Sequence, residues 1–276
     1  MYSINCKGKL LSLESPVVMG IINITPDSFY EGHLAASPGA LVDMAGKMLE
    51  EGAGILDIGG QSTRPGSERI TAAEECDRIL PVIENIHRAF PDAILSVDTY
   101  QHEVAANAVQ AGVSIVNDIS AGEMDPEMIP TVAGLGVPYI CMHMQGTPET
   151  MQQQPSYQNV VKELLDYFVK KIDQCQKAGI MDIIIDPGFG FGKTIGHNFQ
   201  LLNRLELFKI LDKPLLAGLS RKSTIYKTLG VTAGEALNGT TVLNTIALLK
   251  GASILRVHDV KEAVECIRLV TAMQQA

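Results

Sequence analysis

Eight short aliphatic runs, separated by stretches of helical spacing, constrain this chain more than any other feature. They fall at residues 17–22, 55–58, 94–97, 114–116, 139–142, 183–185, 215–219 and 254–257. Each is near-continuously apolar rather than alternating, the pattern of strands in a parallel sheet whose outer face is covered. Between them, residues 39–51, 72–90, 101–110, 157–177, 198–211 and 233–250 carry apolar positions at helical spacing. Such repeated alternation favours a closed (β/α)8 TIM barrel over an open doubly wound sheet. The 276 residues suit one barrel, and no Ser/Pro/Gly-rich tract or charge block marks a linker, which predicts a single α/β domain over residues 1–276. Residues 2–13 alternate weakly about Gly8-Lys9 and predict a small β-hairpin over the barrel's other mouth.

Polar residues close every run: Asn23, Gly59-Gly60, Asp98, Asn117-Asp118, His143, Asp186, Ser220-Arg221-Lys222 and Val257-His258. In a parallel barrel these strand ends converge on one rim, so residues more than two hundred positions apart line one pocket. Taken singly, an Asp or Asn here reads as a helix cap, as Asp98 does ahead of Gln101. The basic members are not explained that way, because caps need no Lys or Arg.

The formal charge of −9 disfavours extended nucleic-acid binding and requires a local basic cluster for any small anion. Arg256 and His258 supply one, two residues apart at a strand end where barrels often hold phosphate. The apolar runs are too short to span a bilayer, and residues 1–16 lack a signal-peptide core, so a cytoplasmic protein is expected, with no membrane partner. Cysteines at 6, 76, 141, 175 and 266 form no CxxC pair and read as reduced, buried thiols.

Residues 186–194, DPGFGFGKT, invite a phosphate-loop reading, but Pro187 occupies the place of the first Walker glycine. The glycines read instead as letting backbone approach a flat ligand. Met142 and Met144 read as core filling, and His143 remains ambiguous. Long polar segments at 25–32 and 61–66, punctuated by Gly and Pro, read as lids over the rim. No compact His/Cys/carboxylate cluster points to a transition metal; Mg needs few protein oxygens, and Asn23 is a candidate donor.

Seven stretches carry a resemblance: MGIINITPDSF from Met19, DIGGQSTRPG from Asp57, SVDTY from Ser96, VNDIS from Val116, DPGFGFGK from Asp186, GLSRKS from Gly218 and RVHDV from Arg256. In this order they resemble the dihydropteroate synthases, pterin-binding TIM-barrel enzymes. The resemblance implies condensation of 6-hydroxymethyl-7,8-dihydropterin diphosphate with 4-aminobenzoate, assisted by Mg2+ and yielding 7,8-dihydropteroate and pyrophosphate. By the same matching, Asp98, Asn117, Asp186, Lys222 and Arg256 bind the pterin, with Asp98, Lys222 and Arg256 the catalytic candidates. Thr63, Arg64, Arg256, Val257 and His258 hold the diphosphate, and Asn23 contacts Mg. Phe29, Thr63, Pro65, Phe191, Lys222 and Ser223 line the aminobenzoate pocket. The family also implies a homodimer and sulfonamide sensitivity.

Those residue types suit the chemistry. A carboxylate such as Asp186 accepts two charge-assisted bonds from a pterin edge, and Asn117 both donates and accepts. Two departures stand out: residues 27–33 read DSFYEGH where the family typically has DSFSDGG, and Gln61 stands where Glu is common. The alternative is a pterin-binding methyltetrahydrofolate methyltransferase, which needs no diphosphate site; STRPG and RVH favour the synthase. A Schiff-base aldolase would use Lys222, but that lysine follows Ser220-Arg221 rather than sitting in an apolar strand that depresses its pKa.

Overall fold

The computed structural model describes residues 2–24, 38–62 and 66–276. Two antiparallel strands, β1 (Ser3–Cys6) and β2 (Lys9–Ser12), precede an eight-stranded parallel sheet. Its strands are β3 (Val17–Asn23), β4 (Ile55–Gly59), β5 (Leu95–Asp98), β6 (Ile115–Asp118), β7 (Tyr139–Met142), β8 (Ile183–Asp186), β9 (Leu216–Ala217) and β10 (Ile254–Val257). Neighbours run in the order β8-β7-β6-β5-β4-β3-β10-β9. A parallel bridge between Ile185 and Leu215, with the Ile185 N–H donating to the Pro214 carbonyl at 3.0 Å, joins β8 to the chain entering β9 and closes the barrel.

Helices α1 (Pro38–Glu50), α2 (Ala72–Ala89), α3 (His102–Ala111), α4 (Met128–Leu135), α5 (Val160–Ala178), α6 (Ile195–Asn203), α7 (Ser223–Leu229), α8 (Leu237–Leu249) and α9 (Val260–Gln275) lie between and after the strands. Caps set where they begin. Thr71 and Glu74 form a reciprocal capping box at α2, and the Asn159 side chain accepts the Lys162 N–H at 3.1 Å, so α5 starts after the predicted residue 157. Thr194 and His197 cap α6 earlier than the spacing suggests, and at Arg204 the backbone leaves the α-helix for a 3-10 helix (Leu205–Leu211). The single predicted helix over 198–211 is therefore two elements. Likewise α8 begins at Leu237, because Thr232 and Glu235 tie the preceding residues into a turn.

Strand alternation divides the interior into tiers. Met19, Ile55, Ile115, Ile140, Ile184, Leu216 and Ile254 pack with Ile4, Cys6 and Leu13 of the N-terminal segment in one apolar cluster. The hairpin thus seals the lower mouth, as predicted, although its turn is Lys7-Gly8, both with positive φ, one residue earlier than expected. Residues of opposite parity, including Val18, Leu56, Val97, Val116, Ile185 and Val257, enter the larger core against the helices. Two positions above the floor, β4, β6, β7, β8 and β10 present Asp57, Asn117, Met142, Asp186 and Arg256, and β5 adds Asp98, paired in register with Asn117, from its C-terminal end. This second tier is where the apolar interior gives way to charge.

Candidate active site

Arg256 is the centre of the second tier. Its Nε donates to Asp57 Oδ2 at 2.7 Å and its Nη2 to Asp98 Oδ2 at 2.6 Å. Asn117 Nδ2 donates to the same Asp57 oxygen at 3.0 Å. One guanidinium fork therefore joins β10 to β4 and β5 across the barrel, and an amide from β6 completes the group. Burial would lower the Arg256 pKa, but Asp57 and Asp98 hold it above its ordinary value. Burial pushes the Asp98 carboxyl up to about 7, with Arg256 opposing and Asp57 adding to the rise. Asp57 Oδ1 and Asp98 Oδ1 are buried with no hydrogen-bond partner among the described residues. Asp98 is no helix cap: Gln101 occupies the N-cap position of α3 and makes no side-chain cap bond.

Across the rim, Asp186 and Lys222 form a second charged group. A Cβ at Gly218 would lie 3.8 Å from Lys222 Nζ and 3.9 Å from Asp186 Oδ2, which places both groups against the end of β9. Asp186 Oδ1 accepts the Gly188 N–H at 2.7 Å. Burial raises its pKa, and the Lys222 amine opposes that rise. Lys222 donates to the Phe189 carbonyl and lies 4.5 Å over the Phe191 ring. Burial brings its pKa down to about 8 against the pull of Asp186. Position after a polar strand end thus does not spare Lys222 from desolvation, contrary to the sequence argument, although its carboxylate and carbonyl neighbours stabilise the charged form.

His258 follows β10, exposed, with Nδ1 3.0 Å from Ser220 Oγ and its own N–H donating to that oxygen at 3.2 Å. Arg256 and His258 thus sit near one another but lean to different neighbours. The Val257 side chain is fully buried in the layer against the helices and presents nothing to the rim. Ser223 opens α7 beside Lys222, and Asn23 ends β3 exposed at the rim. Phe29, Thr63, Arg64 and Pro65, with most of the two predicted lids, lie outside the described residues.

Sequence reasoning missed several contributors. Asp57 was legible as a charged residue inside an apolar run, which in a buried strand demands a partner. Gln61 is buried; its Nε2 donates to the Ser62 and Glu68 carbonyls, both at 2.9 Å, and its Oε1 accepts the Ile70 N–H at 2.9 Å. The amide ties both sides of the second loop's base, a pattern that needs donors a carboxylate lacks. Glu75, on α2, accepts from Thr99 Oγ1 at 3.2 Å and Gln101 Nε2 at 2.6 Å just behind Asp98, and burial pushes it up to about 7. The Gly188 and Gly192 positions, with φ of +67° and +60°, abut the backbone of His143 and Gln145. The close approach these two glycines permit is therefore of loop to loop. Met142 and Met144 are buried with Tyr100, Ile119 and Met151, as the core-filling reading requires.

A closed barrel whose C-terminal strand ends gather carboxylates, an amide, a lysine and an arginine is the architecture of the pterin-binding enzymes, and the family model described as "Pterin binding enzyme" matches residues 19–258. Dihydropteroate synthase of Escherichia coli (strain K12) is 44% identical over 272 residues, covering 98% of this chain and 96% of that relative. The Yersinia pestis synthase solved with a sulfonamide drug superposes with a TM-score of 0.95 at 40% identity, over 100% of both chains. The Xanthomonas albilineans synthase solved with 4-aminobenzoic acid gives 0.92 at 40%, over 99% of this chain and 98% of that one. The chain belongs to the dihydropteroate synthase family of transferases.

Proposed function

We propose that this chain joins the methylene of 6-hydroxymethyl-7,8-dihydropterin diphosphate to the amine of 4-aminobenzoate, releasing pyrophosphate and supplying 7,8-dihydropteroate for folate synthesis. The observation that carries this reading is the second tier: Asp57 and Asp98 each keep a buried oxygen without a partner among the described residues, beside Asn117 and facing the Asp186–Lys222 group. A flat heterocycle rich in N–H donors along one edge and acceptors along another satisfies such a set, and buried groups left unpaired discriminate against other ligands by roughly 10⁴-fold.

In this mechanism Asp98, Asn117, Asp186 and Lys222 read the pterin, while Arg256 and His258 attract its diphosphate. Lys222, Phe191 and Ser223 form one wall for the aminobenzoate, completed by Phe29, Thr63 and Pro65 from the loops, while Thr63 and Arg64 join the residues that hold the diphosphate. An arylamine is neutral at pH 7 and needs no strong base. Departure of the diphosphate is the difficult part: the C–O bond breaks, its electron pair leaves with pyrophosphate, and positive charge develops on the methylene, where Asp98 stabilises it. The amine nitrogen then forms the new C–N bond and loses a proton to solvent. Asn23, exposed at the rim with one amide oxygen, fits a Mg2+ ion held mainly by substrate oxygens, which would neutralise charge on the leaving group.

Measuring radiolabelled 4-aminobenzoate incorporation, with and without Mg2+, tests the proposal directly: dihydropteroate forms, EDTA suppresses it, and Asp186→Ala and Lys222→Ala each abolish most turnover. Absence of product, or unimpaired turnover in both variants, refutes it. A sulfonamide should compete with aminobenzoate in the same assay. We also assign the chain to the cytoplasm; among the described residues no helix is long and apolar enough to cross a membrane. A second copy packed on α8 and α9 fits the exposed apolar side chains of Val242, Leu249, Leu269 and Met273, and light scattering at the monomer mass would overturn that assignment.

A further inference from the structure

The glycine-rich loop after β8 ends in a lysine that the chemistry above does not use. Lys193 is 2% exposed. Its Nζ contacts the carbonyls of His143, Gly188 and Phe191 at 3.1, 3.0 and 2.9 Å and the His143 Nδ1 at 3.0 Å; none of these partners is a carboxylate. Burial, reinforced by Lys193, pushes the His143 pKa down to about 2, so the imidazole is neutral and, in the Nε2–H tautomer, its Nδ1 accepts from the amine. Burial also lowers Lys193 itself, yet four acceptors around one amine favour its protonated, three-donor form.

Every carbonyl from Gly188 to Gly192 has a donor. The Gly188 and Phe191 carbonyls turn inward to Lys193, the Phe189 carbonyl faces Lys222, the Gly190 carbonyl receives Gln152 Nε2, and the Gly192 carbonyl receives the Tyr157 hydroxyl at 2.9 Å. With φ positive at Gly188, Gly190 and Gly192, the backbone has unusual freedom, and something must fix its direction. Two of the five carbonyls are fixed by one buried amine that also grips the end of β7.

We propose that Lys193 is a positioning residue: by gathering the loop around its amine, it aims the Phe189 carbonyl and the Phe191 ring at Lys222 and so sets that lysine and the aminobenzoate wall. Its substrate assignments rest on the synthase reading; the loop geometry does not.

The test is Lys193→Met in the full chain, with circular dichroism to establish folding, hydrogen exchange of amides 188–193, steady-state kinetics with each substrate varied, and a pH profile. The expected result is a folded protein with faster exchange in the loop. Its kcat/KM for 4-aminobenzoate falls by about 10²-fold, the scale of a 1 Å misplacement, while KM for the pterin diphosphate changes little. The alkaline limb assigned to Lys222 moves to higher pH, because that amine loses a nearby positive charge and gains water. A parallel fall for both substrates with an unmoved limb overturns the proposal and leaves Lys193 as a fold clamp. If the wild type makes no dihydropteroate, the functional reading fails by itself, and unchanged loop exchange in the variant would still overturn this inference. Should the methionine variant not fold, Lys193→Gln, whose amide keeps two donors, must give the same split or the proposal is wrong.

Discussion

Asp57→Ala tests the second tier most sharply, because this one carboxylate organises two residues, Arg256 and Asn117, that handle the substrate in the proposed mechanism. Its loss leaves Arg256 Nε and Asn117 Nδ2, now paired at 2.7 and 3.0 Å, without their shared acceptor. Removing one partner of a buried ion pair costs about 3–5 kcal/mol. Arg256 retains Asp98, and its side chain is 19% exposed, so the low end applies, about 3 kcal/mol. For a domain of this size that lowers Tm by roughly 6–12 °C. Urea unfolding should show the loss at unchanged m value, and the double variant Asp57→Ala/Arg256→Met should lose less than the sum of the singles by about 1–3 kcal/mol. Stability within about 1 kcal/mol of the parent, with strictly additive singles, would show that the fork is incidental.

With Lys222 near 8, kcat/KM for the pterin substrate should decline as pH rises through that value, and a profile flat to about pH 10 would contradict a charged Lys222 as donor. Glu75 titrates near 4.5 when unfolded and about 7 when folded, so the folded state binds the extra proton between those values and stability is lost as pH rises through this window. Glu75→Gln keeps both accepted hydrogen bonds, and its Tm advantage over the parent should grow from pH 5 to pH 8; an equal advantage at both pH values would dismiss the assignment. At Gly188 (φ +67°) an added Cβ collides with the His143 carbonyl oxygen, whereas at Gly136 (φ +65°) it meets nothing within 4 Å. Gly136→Ala should cost about 1–2 kcal/mol of left-handed strain, Gly188→Ala clearly more together with pterin binding, and equal costs by urea unfolding would show that the contact is relieved.

The barrel was legible because covered parallel strands must be continuously apolar, and every run predicted as a strand became one. The ends blurred: caps at Thr194 and Asn159 and the break at Arg204 are local hydrogen-bond events to which hydrophobic period is blind. Asp98, Asn117, Asp186 and Lys222 were found because polar residues at strand ends stand out against such runs, and Arg256 through its two-residue spacing from His258. Asp57 was not, since it lies inside its run with an isoleucine still to come. Nor could hydrophobic pattern distinguish the two lysines near the rim; only the resemblance at GLSRKS singled out Lys222. Lys193 and Lys222 each follow a strand, but only the fold directs one into backbone carbonyls and the other toward the Asp186 carboxylate.

The N-terminal hairpin, with Ile4 and Cys6, and Leu13 just after it pack into the barrel's base, which leaves the rim at the strands' C-terminal ends as the way in among the described residues. In the proposed reaction, entry from that rim alone sets an order: the pterin, against the carboxylates, arrives before the amine that rests above it, and pyrophosphate departs through the opening that admitted its parent. On that reading, aminobenzoate arriving early would obstruct its own reaction partner.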